Sequence, residues 1–99
     1  MMSPKYISRS DSNQQEIVDA LRGVGASVYV THRVGHGFPD LAVGYRGVNY
    51  LIEVKSSPKA TLTDDELEFL RDWLGQVQVA HSVVEALEII GAIEKAPAE

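Results

Sequence analysis

The chain of 99 residues contains no cysteine. This excludes disulfide bonds, thiolate metal sites and cysteine nucleophiles. It also lacks any run of 18 apolar residues, so the sequence predicts no membrane-spanning helix and no membrane partner. The first ten residues, MMSPKYISRS, show no apolar stretch after the basic residue, and we therefore expect no signal peptide. Together these absences indicate an intracellular, cytoplasmic protein.

What is present is enough for one small folded domain. Apolar residues make up 44% of the chain, which favours a packed core over disorder. No repeats, low-complexity tracts or internal linkers interrupt it. We therefore expect a single domain over residues 1–99, with an ordered core at about 9–91 and flexible tails at 1–8 and 95–99.

Positive charge is scarce, and the net charge of −5 argues against general affinity for nucleic acid. The charge is unevenly spread, however. Residues 1–59 hold seven Lys and Arg against five Asp and Glu, whereas residues 60–99 hold two against nine. Because phosphate contacts depend on local Lys and Arg, the first part of the chain permits a nucleic-acid face. A solvated acidic helix near the C-terminus explains the same distribution equally well.

Hydrophobic periodicity and turn residues predict seven elements in the order α-β-β-β-α-β-α. The predicted segments are a helix at 10–25 with a cap at Ser12, strands at 26–32, 40–45 and 48–55, a helix at 63–75, a strand at 76–82 and a helix at 82–91. Three consecutive strands suggest an antiparallel meander, and the strand–helix–strand that follows suggests a parallel crossover. The predicted fold class is therefore α/β, a small mixed sheet with helices packed against it.

The helix predicted at 63–75 places Leu67, Leu70 and Leu74 on one face, and Gly75 is its expected stop. Trp73 lies beside this apolar stripe. The pattern predicts that Trp73 is largely buried against the sheet.

The second and third strands form a predicted hairpin with its turn at Arg46 and Gly47. Paired residue numbers then sum to 93, so Asp40 faces Glu53. Lys55 follows Glu53 by two residues and shares its face, whereas Val54 points into the core. One face thus presents two acids and an ammonium group.

Two carboxylates in directly opposed positions repel each other, and a divalent cation between them would reverse that effect. A Glu-x-Lys pair on an exposed edge strand, without any function, is the ordinary alternative, although it leaves Asp40 unexplained. A bulge at Gly47 would shift the register by one residue and turn Glu53 away from Asp40. Both alternatives stay open on the sequence alone.

Two neighbouring features are more ambiguous. The loop before Asp40 carries His36 between Gly35 and Gly37, and such a loop suits a phosphate backbone or is an ordinary strand connection with a solvated histidine. Glu16 on the first helix lies beside the apolar stripe, where a surface glutamate favoured by the helix dipole is equally expected.

The segments PDL (39–41) and EVK (53–55), in this order of elements, resemble the PD-(D/E)XK nuclease superfamily. They are similar in particular to small stand-alone VRR-NUC-type nucleases, many of them phage-encoded and like Holliday-junction resolvases. The resemblance runs from about residue 9 to residue 91. SNQQEIVDALR resembles the first helix of that family with its glutamate, and LTDDELEFLRDWLG resembles a family helix that usually has glutamine where this chain has Glu66. Thr63 and Glu66 also form a capping box, which explains Glu66 without catalysis.

The resemblance implies a hydrolase in phage-encoded or bacterial DNA recombination and repair, with Glu16, Asp40, Glu53 and Lys55 as catalytic residues. Asp40, Glu53 and the Val54 carbonyl would hold Mg²⁺ or Mn²⁺, Glu16 would reach a metal-bound water or a second ion, and no organic cofactor is implied. DNA is the implied partner, and such domains usually form homodimers. Candidate contacts to the DNA backbone are Arg9, Arg33, His36, Arg46 and Lys59.

Several functions remain compatible with the sequence. The leading hypothesis is a metal-dependent endonuclease acting on branched or structured DNA such as Holliday junctions. A nuclease on unbranched DNA or on RNA is a second. A binding module that keeps the fold without cleaving, or an interaction domain whose acids are all surface residues, belongs to another class, and binding of a divalent ion would separate it from the nucleases.

Overall fold

The structure is a computed structural model that describes residues 9–95, with side chains described from residue 13 onward. The elements follow the predicted order, with one additional short turn of 3-10 helix. Their bounds are α1 Arg9–Gly23, β1 Ser27–Val30, the 3-10 turn His32–Val34, β2 Leu41–Tyr45, β3 Val48–Val54, α2 Asp64–Asp72, β4 Gln78–Ala80 and α3 Val83–Ile89.

The four strands form one sheet in the order β1-β2-β3-β4. β1, β2 and β3 pair antiparallel, and β3 pairs parallel with β4 after the connection through α2. The predicted meander followed by a parallel crossover is therefore confirmed, and so is the predicted fold class.

The β2–β3 hairpin has the register that the sequence predicts. Leu41 pairs with Ile52 and Tyr45 with Val48, so paired numbers sum to 93 throughout. Arg46 and Gly47 occupy the two turn positions with φ angles of 51° and 83°. A two-residue turn with both φ values positive matches the right-handed twist of the strands, so no bulge is needed here.

α1 and α3 cover one face of the sheet and enclose the core. The predicted stripe of α1 is confirmed, because Ile17, Val18 and Leu21 are buried. The other buried apolar residues are Ala26, Val28, Leu41, Val43, Ile52, Val54, Ala80, Ala86 and Ile90. α3 begins at its predicted cap, where the Ser82 side chain accepts a hydrogen bond from Glu85 N–H. α1 begins at Arg9, so the predicted cap residue Ser12 lies inside the helix instead.

α2 differs most from its prediction. The helix ends at Asp72, so Leu74 lies beyond it and is fully exposed, and no residue of α2 is buried. The prediction that Trp73 is buried against the sheet is wrong, because Trp73 is 42% exposed. Its ring stacks on Phe69 at 4.8 Å and meets Phe38 edge-on at 6.4 Å. An apolar stripe that includes Leu74 requires a helix of at least eleven residues, whereas α2 ends after nine.

None of the helices in residues 9–95 combines the length and the apolar content needed to cross a membrane.

Candidate active site

Asp40 and Glu53 meet at the end of the β2–β3 hairpin that is opposite its turn. Asp40 directly precedes β2, and Glu53 is the last residue but one of β3. Their neighbours Leu41 and Ile52 are completely buried beneath α1 and α3. Because side chains alternate along a strand, the two acids lie on the opposite face of the sheet, as the register predicts.

The backbone of β3 holds Asp40 in place. Its Oδ2 accepts a hydrogen bond of 2.9 Å from Val54 N–H. A side-chain oxygen of Asp40 thus accepts a bond from a strand N–H that a backbone carbonyl would otherwise accept. This bond directs the carboxylate toward β3. Since the N–H and C=O of one strand residue point to the same neighbouring strand, the Val54 carbonyl faces the side where Asp40 lies.

Among the described residues, Glu53 is the one charged residue that is buried, and its exposed fraction is 3%. Its burial raises the pKa of the carboxyl to about 8, and the charges of Asp40 and Glu66 add to that effect. Burial also raises the pKa of Asp40, which the hydrogen bond from Val54 offsets only in part. Both acids are therefore in a place where negative charge is unfavourable unless a cation joins them.

Lys55 supplies one such cation. Its Nζ lies 2.7 Å from Glu66 Oε1 and 3.6 Å from Glu53 Oε2. Burial alone would lower the pKa of Lys55, but the hydrogen bond and charge of Glu66 outweigh it and the pKa is raised. Lys55 is consequently a protonated ammonium group held between two acids.

Glu66 acts at two places at once. Its Oε1 accepts a hydrogen bond from Thr63 N–H, completing the predicted capping box of α2, and the same oxygen binds Lys55. Burial alone would raise the pKa of Glu66. The two hydrogen bonds outweigh burial and the pKa is lowered, so Glu66 is ionised. The capping pattern alone did not reveal the contact with Lys55, because that contact requires α2 to return to the end of β3.

α1 reaches the site through residues that the sequence did not single out. Asn13 Nδ2 donates a hydrogen bond of 3.1 Å to the Lys55 carbonyl, and Gln14 lines the cavity above the acids. Glu16 is exposed and is absent from the cavity wall. Two positions along a helix are separated by about 200° around its axis, so Gln14 and Glu16 point to different sides. A catalytic role for Glu16 stays a prediction.

The acids open into a cavity of about 260 Å³. It is lined by Gln14, His32, Asp40, Glu53, Val54, Lys55 and Glu66. His32 was not predicted as a site residue, although the predicted antiparallel pairing of β1 with β2 places the residues after β1 beside Asp40. Thr31 N–H donates to the Asp40 carbonyl at 2.7 Å, and this bond brings the next residue, His32, to the cavity.

The predicted DNA-contacting residues are spread over the surface. Arg33 and Lys59 are exposed in the segments after β1 and β3. His36 lines a separate cavity of about 390 Å³ with Phe69, Trp73 and three acids of α2. Arg46 lies at the hairpin turn, about 20 Å along β2 from Asp40. The side chain of Arg9 lies outside the described residues.

The donor set suits a hard divalent cation. Two carboxylates from adjacent strands and one backbone carbonyl are oxygen ligands, and Mg²⁺ commonly takes only one or two carboxylates and keeps bound water. Within the described part of the chain, no group of three or more His, Asp or Glu side chains has the arrangement of a metal site. Any ion here would therefore complete its shell with water or substrate oxygens.

A solved structure described as a "VRR_NUC domain" is similar to this chain, with a TM-score of 0.65 and 24% sequence identity. The similarity covers 84% of this chain and 95% of that one. At this identity it establishes the fold. No family model matches the chain, and a search of the curated proteins found no match.

Proposed function

We propose that this protein, which has the fold of a VRR_NUC domain, is a metal-dependent endonuclease that hydrolyses phosphodiester bonds in branched or structured DNA, such as Holliday junctions. The observation that carries the proposal is the meeting of Asp40, Glu53 and Lys55 in one cavity on the free face of the sheet. A buried acid and a partly buried acid beside an ammonium group are costly to maintain for stability alone.

Asp40, Glu53 and the Val54 carbonyl are the proposed ligands of Mg²⁺ or Mn²⁺. When bound, such an ion polarises a phosphodiester oxygen and lowers the pKa of a bound water molecule. The raised pKa values of both acids support this assignment, because a cation would replace the protons that burial favours. The residues themselves position the ion and exclude bulk water from Glu53.

Lys55 is proposed to stabilise negative charge on the phosphate or to orient the attacking water. Its ammonium group is held by Glu66, and the hydrogen bond from Asn13 to its carbonyl holds its backbone. A fixed cation stabilises developing charge without first having to reorganise. Glu16 is proposed to act through water, since its exposed side chain does not line the cavity.

A homodimer belongs to the same proposal. Leu67 on α2, and Trp73 and Leu74 directly after it, are large apolar side chains that stay exposed. A second copy that covers them would bring two active sites together, as cutting two strands of a junction requires.

Cleavage of a labelled substrate panel tests the proposal. The panel contains a four-way junction, a flap, a duplex, a single strand and an RNA, each with Mg²⁺, Mn²⁺ or EDTA. Cleavage that requires the metal and is fastest on the junction is the expected result. Asp40→Asn is the matched inactive control. Cleavage that is insensitive to EDTA, or no cleavage of any substrate with either metal, would overturn the proposed function.

A further inference from the structure

One face of the sheet is left uncovered by α1 and α3, and we call its outward-pointing residues the open face. They are Ser27, Tyr29, Ala42, Gly44, Asn49 and Leu51. The alternation that buries Val28 and Val43 on one side places these residues on the other. The open face belongs to the same side of the sheet as Asp40 and Glu53.

The open face has the shape of a trough. Ala42 and Gly44 lie along its floor and have little or no side chain, whereas Tyr29 and Leu51 stand on either side. Tyr29 is 77% exposed, the most exposed aromatic side chain among those described. Together these residues line a depression of about 290 Å³. An aromatic ring beside a shallow, apolar floor is suited to a flat ligand that stacks on it.

The trough lies next to the cavity that contains the acids. Ala42 follows Asp40 by two residues on β2, and Leu51 precedes Glu53 by two residues on β3, so each lies about 7 Å from its acid. Tyr29 pairs with Ala42, and Ala42 pairs with Leu51. A strand of substrate that places a phosphate at the acids thus reaches Tyr29 within the next nucleotide or two.

Charge along the trough favours a polyanion. The open face itself contains no acid, and at its far end Arg46 and Asn49 line the depression around the hairpin turn. Three acids of α2, Asp65, Glu68 and Asp72, line a different cavity. Arg46 is a cation at this end of the trough, and its guanidinium lies 5.0 Å from the centroid of the Tyr45 ring.

We propose that the open face binds an unpaired nucleotide next to the scissile phosphodiester, with its base stacked on Tyr29 and its strand running toward Arg46. This inference rests on the proposed function and narrows its substrate class to branched or structured DNA with an unpaired base near the cleavage site. Bases within a duplex are stacked on each other and offer no free face, whereas single strands stack readily on exposed aromatic rings.

Binding and cleavage by Tyr29 variants test the inference. Binding of a labelled single-stranded oligonucleotide is measured in EDTA, and cleavage is compared on a matched duplex and on the same duplex with one unpaired nucleotide beside the cleavage site. We expect Tyr29→Ala to weaken oligonucleotide binding about tenfold, the loss of one stacked base, and to slow cleavage of the unpaired substrate selectively. Tyr29→Phe and Tyr29→Trp, which keep a ring, should stay within twofold of the wild type.

A second variant controls for a folding defect that Tyr29→Ala could cause in the edge strand β1. Ala42→Leu leaves Tyr29 intact but fills the trough, so it should reproduce the selective loss while melting like the wild type. Equal loss on both cleavage substrates, or no loss with either variant, would overturn the inference and leave the proposed nuclease standing. Loss of a dimer in Tyr29→Ala without a selective effect would assign the open face to a second copy instead and also overturn it.

The outcomes also separate the inference from the proposed function. If the wild type cleaves nothing yet binds the oligonucleotide through Tyr29, the open-face inference holds as a binding site and the nuclease proposal fails.

Discussion

At the scale of single residues, the site is built from acids whose surroundings disfavour their charge. Glu53 is buried against the sheet and faces Asp40, and the cation beside it, Lys55, is shared with Glu66. Ionisation of the Glu53 carboxyl is coupled to folding, because its pKa is raised in the folded state. The stability of the metal-free protein should therefore depend on pH in a measurable way.

We expect the metal-free protein to lose stability as the pH rises from about 5 to 8. In this range the unfolded chain has released the Glu53 proton, while the folded chain, with a pKa of about 8, still holds it. The folded state therefore binds more protons, and the free energy of unfolding falls by up to about 1.4 kcal/mol per pH unit. Denaturant titrations in EDTA at several pH values measure this slope. Glu53→Gln should flatten it, and an unchanged slope in that variant would contradict the assignment.

Asp40→Asn is expected to separate activity from stability. Asparagine keeps an oxygen to accept the hydrogen bond from Val54, and it removes a partly buried charge next to Glu53. Cleavage should be lost, whereas the metal-free fold should be as stable as the wild type or more so. Mg²⁺ or Mn²⁺ should raise the melting temperature of the wild type with increasing dose, since it binds only the folded form. An equal rise in the variant would exclude Asp40 as a ligand.

At the scale of elements, α2 is held by few contacts, and these contacts lead to the candidate active site. It buries none of its own residues. Glu66 links it to Lys55, Phe69 links it to Phe38, and the backbone at Asp65 lies against Gly37. The position of Lys55 therefore depends on a helix that the core does not fix.

Gly37→Ala should displace α2 and slow cleavage. Gly37 has a φ of 80°, and an added Cβ would run into the Asp65 carbonyl group. Gly35→Ala is the control, because its φ of 78° also favours glycine, at a backbone cost of about 1–3 kcal/mol, but its Cβ would meet open space. We expect a larger loss of stability and a lower kcat in Gly37→Ala alone. Equal kcat values in the two variants would show that α2 does not position Lys55.

Trp73→Ala should have a modest effect on folding. The ring is 42% exposed and packs on Phe69 rather than on the sheet. The expected cost is about 1–2 kcal/mol, below the range for a buried tryptophan. Chemical denaturation measures it, and a loss above about 3 kcal/mol would show that α2 is packed more tightly than its exposure indicates.

At the scale of the whole molecule, the charge is divided between two regions. The balance is +2 over residues 1–59 and −7 over residues 60–99. With a net charge of −5, long-range attraction to DNA is weak, so we infer that binding depends on local contacts, a divalent ion and two protomers acting together.

We therefore expect weak affinity for duplex and a marked preference for a four-way junction. Binding titrations at two salt concentrations test this, because each phosphate neutralised on a duplex adds about −0.9 to the log–log slope. Lys59→Ala should make the slope shallower by about that amount, whereas Lys95→Ala, a cation of the acidic region, should leave it unchanged. Equal affinity for junction and duplex, from a protein that sediments as a monomer, would remove the junction-resolving part of the proposal.

Local sequence patterns determined the elements and the register of the hairpin. A two-residue turn at Arg46 and Gly47 places Asp40 opposite Glu53 by counting back along the strands, and the structure has this register rather than the one shifted by a bulge at Gly47. The α1 stripe and the caps at Thr63 and Ser82 were likewise readable, because their hydrogen bonds and packing repeat within a few residues.

Tertiary structure decided the features that join distant segments. Glu66 binds Lys55 only because the crossover through α2 returns to the end of β3, and His32 reaches the cavity only through the pairing of β1 with β2. The exposure of Trp73 and the uncovered face around Tyr29 depend on where helices pack. Periodicity shows which side of an element is apolar, but the contacts made elsewhere in the chain decide what covers that side.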